Sequence, residues 1–271
     1  MSVLLHMSDT HFGTEQPQVL EALVTLSLQQ KPDVVVLSGD ITQRATADQF
    51  QTARAFTNRL GAPVLAIPGN HDIALFNVVA RLFNPYARYS AAFGVDLEPV
   101  YASNDLLVVS INTTRRYRHV HGELSDMQIN RVVALLGSAR AEQLRVVVVH
   151  QPIAVMRSED ESNLLRGHKR ALKRWAQAGA DLVLGGHIHL PYTLQVPDVV
   201  RPMWVAQAGT AVSRRVRPGA PNSVNVIRWG LGYMSTDVQA TCSTEQWDFD
   251  ANRQMFRCVK ITPMQTERSA A

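Results

Sequence analysis

A chain of 271 residues with 46% hydrophobic and 18% charged residues can bury a sizeable core and carries too little charge to be intrinsically disordered. Lys and Arg number 27 against 23 Asp and Glu, a net charge of +4 that suits an anionic substrate but is too small to announce a stable nucleic-acid complex. No apolar run approaches the roughly 18 residues of a membrane-spanning helix, Met1–His6 lacks the regions of a secretory signal, and two cysteines are too few for a disulfide framework.

The first part of the chain alternates strand and helix. Val3–Met7 is an apolar run that stops at Ser8-Asp9. Residues 17–30 carry Val19, Leu20, Leu23 and Leu26 at helical spacing, with Pro17 in the first turn. Val34–Leu37 is a second strand, ending at Ser38-Gly39-Asp40. A helix over roughly 46–60 precedes the strand Pro63–Ile67, which ends at Pro68-Gly69-Asn70-His71-Asp72. Uniformly apolar strands separated by amphipathic helices predict an α/β fold with a covered sheet. The segment 74–94 breaks the pattern as an apolar helical insert, either packed on the core or serving as a lid. Leu and Phe content favours the core, with Phe76 and Phe83 inside.

Leu106–Ile111 and Arg145–Val149 are further strands, the second tipped by His150. Ser125 can cap a helix through Leu136. A helix near 167–178 leads to the strand Asp181–Leu184 and the tip Gly185-Gly186-His187-Ile188-His189. Short strands follow around 193–196, 203–207, 222–228 and 231–240. The reading is one domain over 1–261 with a flexible tail at 262–271.

Chemistry concentrates at the strand tips. Asp9, His11, Asp40, Asn70, His71, Asp72, His150, His187 and His189 all stand there, and they include five of the nine histidines. A lone histidine at a strand end is ordinarily a satisfied polar residue. Nine such positions at successive tips instead supply the mixture of imidazole nitrogen and carboxylate or amide oxygen that divalent cations take.

The order Asp9-Thr10-His11, Gly39-Asp40, Gly69-Asn70-His71-Asp72, His150 and Gly186-His187-Ile188-His189 resembles the signature of the calcineurin-like metallophosphoesterases. The resemblance implies a four-layer αββα fold, two mixed sheets face to face with helices outside, and a dinuclear centre of manganese, iron or zinc. It implies that Asp9, His11 and His189 hold one metal, that Asn70, His150 and His187 hold the other, and that Asp40 bridges them. A metal-bridging hydroxide would attack the phosphoester. His71 would contact the phosphate and protonate the leaving oxygen, and Asp72 would fix the His71 ring.

Within the family, Asn112-Thr113, Gly122-Glu123-Leu124 and the Gly-His-Ile-His tip look most like the bacterial class III cyclic-nucleotide phosphodiesterase branch. The expected substrate is a small anionic phosphodiester, contacted by Asn112, Arg115, Arg116 and His121. The alternative is a UDP-2,3-diacylglucosamine pyrophosphatase of lipid A synthesis, which the insert and the Arg115–His119 run would serve. His71 argues against it, since that group often carries Arg there. A nuclease is disfavoured by the modest charge, and a non-catalytic scaffold by the intact ligand set. Arg214, Arg215 and Arg217 either rim the site or face water, and His6 belongs to the core or lies behind the ligands. The expected location is cytoplasmic, with Cys242 and Cys258 as thiols, although strand neighbours could bring them together.

Overall fold

The structure, a computed structural model, describes residues 1–74, 81, 83–118, 120–234 and 237–267. Two six-stranded mixed sheets form the centre. In the first, the parallel strands β1 (Ser2–Met7), β2 (Val34–Leu37) and β3 (Val64–Ala66) continue through the antiparallel β10 (Ser223–Met234), β11 (Asp237–Asp250) and β12 (Met255–Pro263). The order is β12-β11-β10-β1-β2-β3. In the second, β5 (Leu106–Ser110), β6 (Leu144–Val148), β7 (Leu182–Gly185) and β9 (Trp204–Gln207) run parallel. The short β4 (Val100–Ala102) and β8 (Tyr192–Gln195) pair antiparallel at its two edges.

Side-chain alternation explains why the apolar runs are continuous. Leu4, Val34, Val36 and Leu65 turn into the space between the sheets, where they meet Val108, Val146, Val148, Leu182 and Leu184. Their neighbours Leu5, Met7, Val35 and Leu37 turn outward onto helices α1 (Pro17–Gln30), α2 (Ala47–Thr57) and α3 (Ala87–Phe93). On the other sheet Val109, Val147 and Val183 turn onto α4 (Asp126–Gly137) and α5 (His168–Gln177). A strand covered on both faces needs apolar residues at every position. The four-layer arrangement follows, and the parallel strands of both sheets direct their C-terminal ends to one side. Helix starts are set locally. Thr46 Oγ1 accepts the Gln49 amide at the head of α2, and Ser125 and Gln128 cap α4 reciprocally.

Three expectations change. The C-terminal third is a long hairpin plus a third strand, where short strands to about residue 240 were expected. Residues 242–263 were missed because an antiparallel sheet with a solvated face alternates polar and apolar residues. There Trp247 and Phe249 pack on the helical core while Gln246 and Asp248 alternate with them. The expected tail starts too early: Thr262 and Pro263 close β12, and Met264 and Thr266 are buried. The 74–94 insert also divides. Phe76 lies outside the described residues, Phe83 is 84% exposed, and Tyr89 is buried beside Phe50 with its hydroxyl donating to the Ala66 carbonyl at 2.8 Å. Cys242 is buried, Cys258 is exposed, and both are free thiols. Among the described residues no helix is long and apolar enough to cross a membrane.

Because Tyr89 is the buried residue of α3, Tyr89→Ala should destabilise the protein by about 3–5 kcal/mol. Phe83→Asp, on exposed surface, should stay within about 0.5 kcal/mol of the parent. Denaturant unfolding of the two variants checks how this segment is anchored.

Candidate metal centre

The loops that leave β1, β2, β3, β6 and β7 converge at one place, the end of an α/β sheet where sites are built. They bring Asp9 and His11, Asp40, the 3-10 turn Asn70–Asp72, His150, and His187 with His189 together. The convergence requires unusual backbone. Asp9, His11, Asp40, His187 and His189 have φ of 53°, 42°, 48°, 75° and 58°. Left-handed backbone costs a non-glycine residue roughly 1–2 kcal/mol, so the surroundings must hold each of them. The Asp9 amide donates to Gly39 O and the His11 amide to Asp40 O, each at 3.0 Å. Side chains join in: His71 N–H donates to Asp40 Oδ1 at 2.9 Å and His187 N–H to Asp9 Oδ2 at 2.8 Å.

Two donor clusters result. Nε2 of His11 and Nε2 of His189 lie 3.1 Å apart, and Asp9 Oδ1 is 3.2 Å from the latter and 3.8 Å from the former. In the second cluster, His150 Nε2 is 3.2 Å from both Asp40 Oδ1 and Asn70 Oδ1, with His187 alongside. Asp40 faces both groups, because its Oδ2 lies 3.8 Å from His11 Nε2. A third set, His11, Asp40 and His71, shares the same volume.

These residues fit metal ions. Donors held about 2.0–2.2 Å from one ion sit roughly 3 Å from each other, the spacing seen here. Asp9 Oδ1 and His187 Nδ1 are buried without a hydrogen-bond partner, a cost that coordination removes. The ring tautomers are also set for it. His150 Nδ1–H donates to Ser38 O at 2.8 Å and His189 Nδ1–H to Arg215 O at 2.6 Å, which leaves both Nε2 atoms facing the clusters.

The electrostatics point the same way. Burial opposes ionisation of Asp9 and Asp40, yet the neighbouring histidines, His189 for Asp9 and His150 for Asp40, hold both carboxyls below the usual carboxylate range. Burial also disfavours charge on His150, but Asp40 outweighs it and pushes that ring up to about 9. Burial instead prevails at His11, pushed down to about 3, and at His187, down to about 4. Each carboxylate therefore draws positive charge into its cluster.

Some assigned roles do not match the geometry. Asp72 does not touch the His71 ring. Its carboxylate accepts from the amides of Ile41, Thr42 and Gly69 and from Thr42 Oγ1, so it clamps the β2 and β3 loops together. Burial pushes its carboxyl up to about 6, aided by Asp40 and opposed by those amides. The His71 ring is fixed instead by its Nδ1–H donating to the Gln43 carbonyl at 3.0 Å.

The cleft over the clusters has a volume of about 360 Å³, and its walls include His71, Val120, Asn163, Arg215 and Arg217. None of Asn112, Arg115, Arg116 and His121 lines it. Asn112 Oδ1 accepts from Thr114, and Arg115 donates to the Asn112 and Thr114 carbonyls and to Gln128, all local bonds. His119 lies outside the described residues. Arg215 and Arg217 come from an irregular loop between β9 and β10, where no periodicity marks which side chains turn inward, whereas Arg214 is exposed. His6 is buried behind the ligands, with Nε2 2.9 Å from Ser38 Oγ.

Close packing offers a test. A Cβ at Gly186 would collide with Ser8 Oγ and come within 2.5 Å of Asp9 Oδ2. Gly186→Ala should therefore lower metal occupancy, read by elemental analysis after dialysis against limiting manganese. Gly137→Ala, with open space around it, should leave occupancy unchanged.

Residues 2–191 match the family described as calcineurin-like phosphoesterase. A glycerophosphodiester phosphodiesterase GpdQ of Enterobacter lignolyticus is 30% identical over 168 residues, 56% of this chain and 57% of that protein. A probable cyclic nucleotide phosphodiesterase of Coxiella burnetii is 24% identical over 198 residues, 70% of this chain and 75% of its own length. Among solved structures, a yellow lupin purple acid phosphatase superposes with a TM-score of 0.74 at 10% identity, over 99% of this chain and 54% of the phosphatase, a likeness of fold alone. The chain thus spans little more than half of the GpdQ relative and of the lupin enzyme. With the signature residues gathered at the tips of two face-to-face sheets and a family match across most of the chain, the protein belongs to the calcineurin-like phosphoesterase family.

Proposed function

We propose that the chain is a dinuclear metal-dependent phosphodiesterase that hydrolyses a small diester, with a cyclic nucleotide as the preferred class. The observation that carries the reading is Asp40, shared between two donor clusters beneath one cleft into which His71 projects. In this reading Asp9, His11 and His189 hold one ion, Asn70, His150 and His187 hold the other, and Asp40 serves both. Imidazole and carboxylate donors suit manganese, iron or zinc. Such ions would supply Lewis-acid polarisation of the phosphoryl oxygens and a water acidic enough to attack at neutral pH.

The chain's own residues do the rest. The His71 ring is oriented by its Nδ1–H on the Gln43 carbonyl, so Nε2 is the atom presented to the cleft, and it is the imidazolium form that carries there the proton passed to the leaving oxygen. The His71 main chain is fixed to Asp40, which ties the proton donor to the cluster geometry. Asp72 contributes by holding the two loops that carry Asp40 and His71 in register. The names of the relatives, cyclic nucleotide and glycerophosphodiester phosphodiesterases, support a diester of modest size. No observation favours the acylated UDP-sugar alternative.

Asp40→Ala should abolish turnover and reduce the bound metal below two ions per chain. Near-normal turnover with two ions in this variant would remove the shared-ligand assignment. His71→Ala should keep its metal and slow hydrolysis by about 10²–10⁴-fold, typical of a lost general acid. That loss should shrink for p-nitrophenolate leaving groups, which need little protonation. A loss independent of leaving-group pKa would assign His71 to phosphate positioning instead.

A further inference from the structure

We propose that Arg215 is the residue that anchors the phosphoryl group of the substrate. The inference deepens the proposed function, since it rests on a phosphoester occupying the cleft above the clusters.

Four observations carry it. Arg215 is partly buried and lines that cleft together with Asp40, Asn70, His71, His187 and His189. Its Nη1 donates to Gln43 Oε1 at 2.9 Å and stands 3.4 Å from His71 Nε2 and 3.3 Å from His11 Nδ1. All of these are uncharged partners when the rings are neutral. Among the described residues no carboxylate pairs with Arg215. Arg217, two residues on and lining the same cleft, is answered by Asp160 at 2.8 Å and Glu159 at 2.7 Å. The two arginines of one loop are therefore not equivalent: one is neutralised within the protein, and the other keeps its charge for an anion that enters.

The main chain of Arg215 is held firmly, as presenting a ligand-binding group requires. Its carbonyl accepts from His189 Nδ1–H at 2.6 Å and from Thr210 Oγ1 at 2.8 Å, and its amide donates to Ser213 Oγ at 2.9 Å. A guanidinium offers a flat fork of N–H donors that matches two non-bridging phosphoryl oxygens. Seated beside His71 Nε2, that fork places the bound phosphoryl group within reach of the proton donor. Gln43 serves both partners, its side-chain oxygen on Arg215 and its carbonyl on His71. The substrate contact thus falls on Arg215, and not on Arg115 or Arg116.

The test uses the full chain loaded with manganese and compares it with Arg215→Gln and Arg215→Lys. Three quantities are measured: metal per chain, calorimetric affinity for inorganic phosphate, and KM and kcat on bis-p-nitrophenyl phosphate. A lost charge-assisted hydrogen bond predicts that Arg215→Gln weakens phosphate binding and raises KM by about 10–100-fold with two ions still bound. Arg215→Lys, which keeps the charge without the fork, should fall between. Phosphate affinity in Arg215→Gln equal to that of the parent overturns the proposal. So does loss of metal from both variants, which would assign Arg215 to holding the ligand loops. If the parent binds phosphate but cleaves no diester, the proposed function fails while the calorimetric comparison still decides the role of Arg215. A parent that binds no phosphate overturns the role of Arg215, while turnover of the diester still decides the proposed function.

Discussion

The structure is organised around an electrostatic burden: two buried carboxylates and several imidazoles with their lone pairs turned toward each other. Asp9 and Asp40 are almost fully buried, and the rings of His11, His150, His187 and His189 surround them. Left to themselves, such groups repel or compete for the same protons. The protein forces them together by holding five of these residues in left-handed backbone and by tying the loops with hydrogen bonds that backbone amides donate to Asp9, Asp40 and Asp72. The strand tips gather five residues in left-handed backbone and two unpartnered buried donor atoms, Asp9 Oδ1 and His187 Nδ1. Below them the layer between the two sheets is apolar, and the packed sandwich supplies the stability that the tips lack.

How much of this the sequence displays depends on the physical signal each part leaves. Strands buried on both faces leave continuous apolar runs, and β1, β2, β5, β6 and β7 were readable for that reason. The donor residues were readable because each follows such a run. β11 and β12 left only weak alternation, and the wall of the cleft left none. Arg215 and Arg115 look alike as arginines after a strand. Only the fold shows that Arg115 spends its donors on the Asn112 and Thr114 carbonyls and on Gln128 of α4 while Arg215 reaches His71. Asp72 is a similar case, since the family resemblance implied a partnership with His71 that the 3-10 turn prevents. The turn directs the carboxylate to three backbone amides instead.

The second-layer contacts show an economy of another kind. Backbone carbonyls of Ser38, Gln43 and Arg215 each fix one histidine ring, so the orientation of His150, His71 and His189 is set by loop geometry and not by further side chains. Loop conformation and ring orientation therefore change together, and a substitution that moves one of these loops acts on a ligand it does not touch.

The origin of the donors has a consequence for folding. Asp9, His11, Asp40 and Asn70 follow strands of one sheet, and His150, His187 and His189 follow strands of the other. Each cluster draws on both, so a cation held in either is a rivet through the two halves of the sandwich. Pulling the sheets apart would require releasing it. Occupancy and cohesion would then be one linked equilibrium, in which the folded state would gain RT ln(1 + [L]/Kd) from each ion so held. Withdrawing such an ion would return the sandwich to the lower stability of its metal-free form.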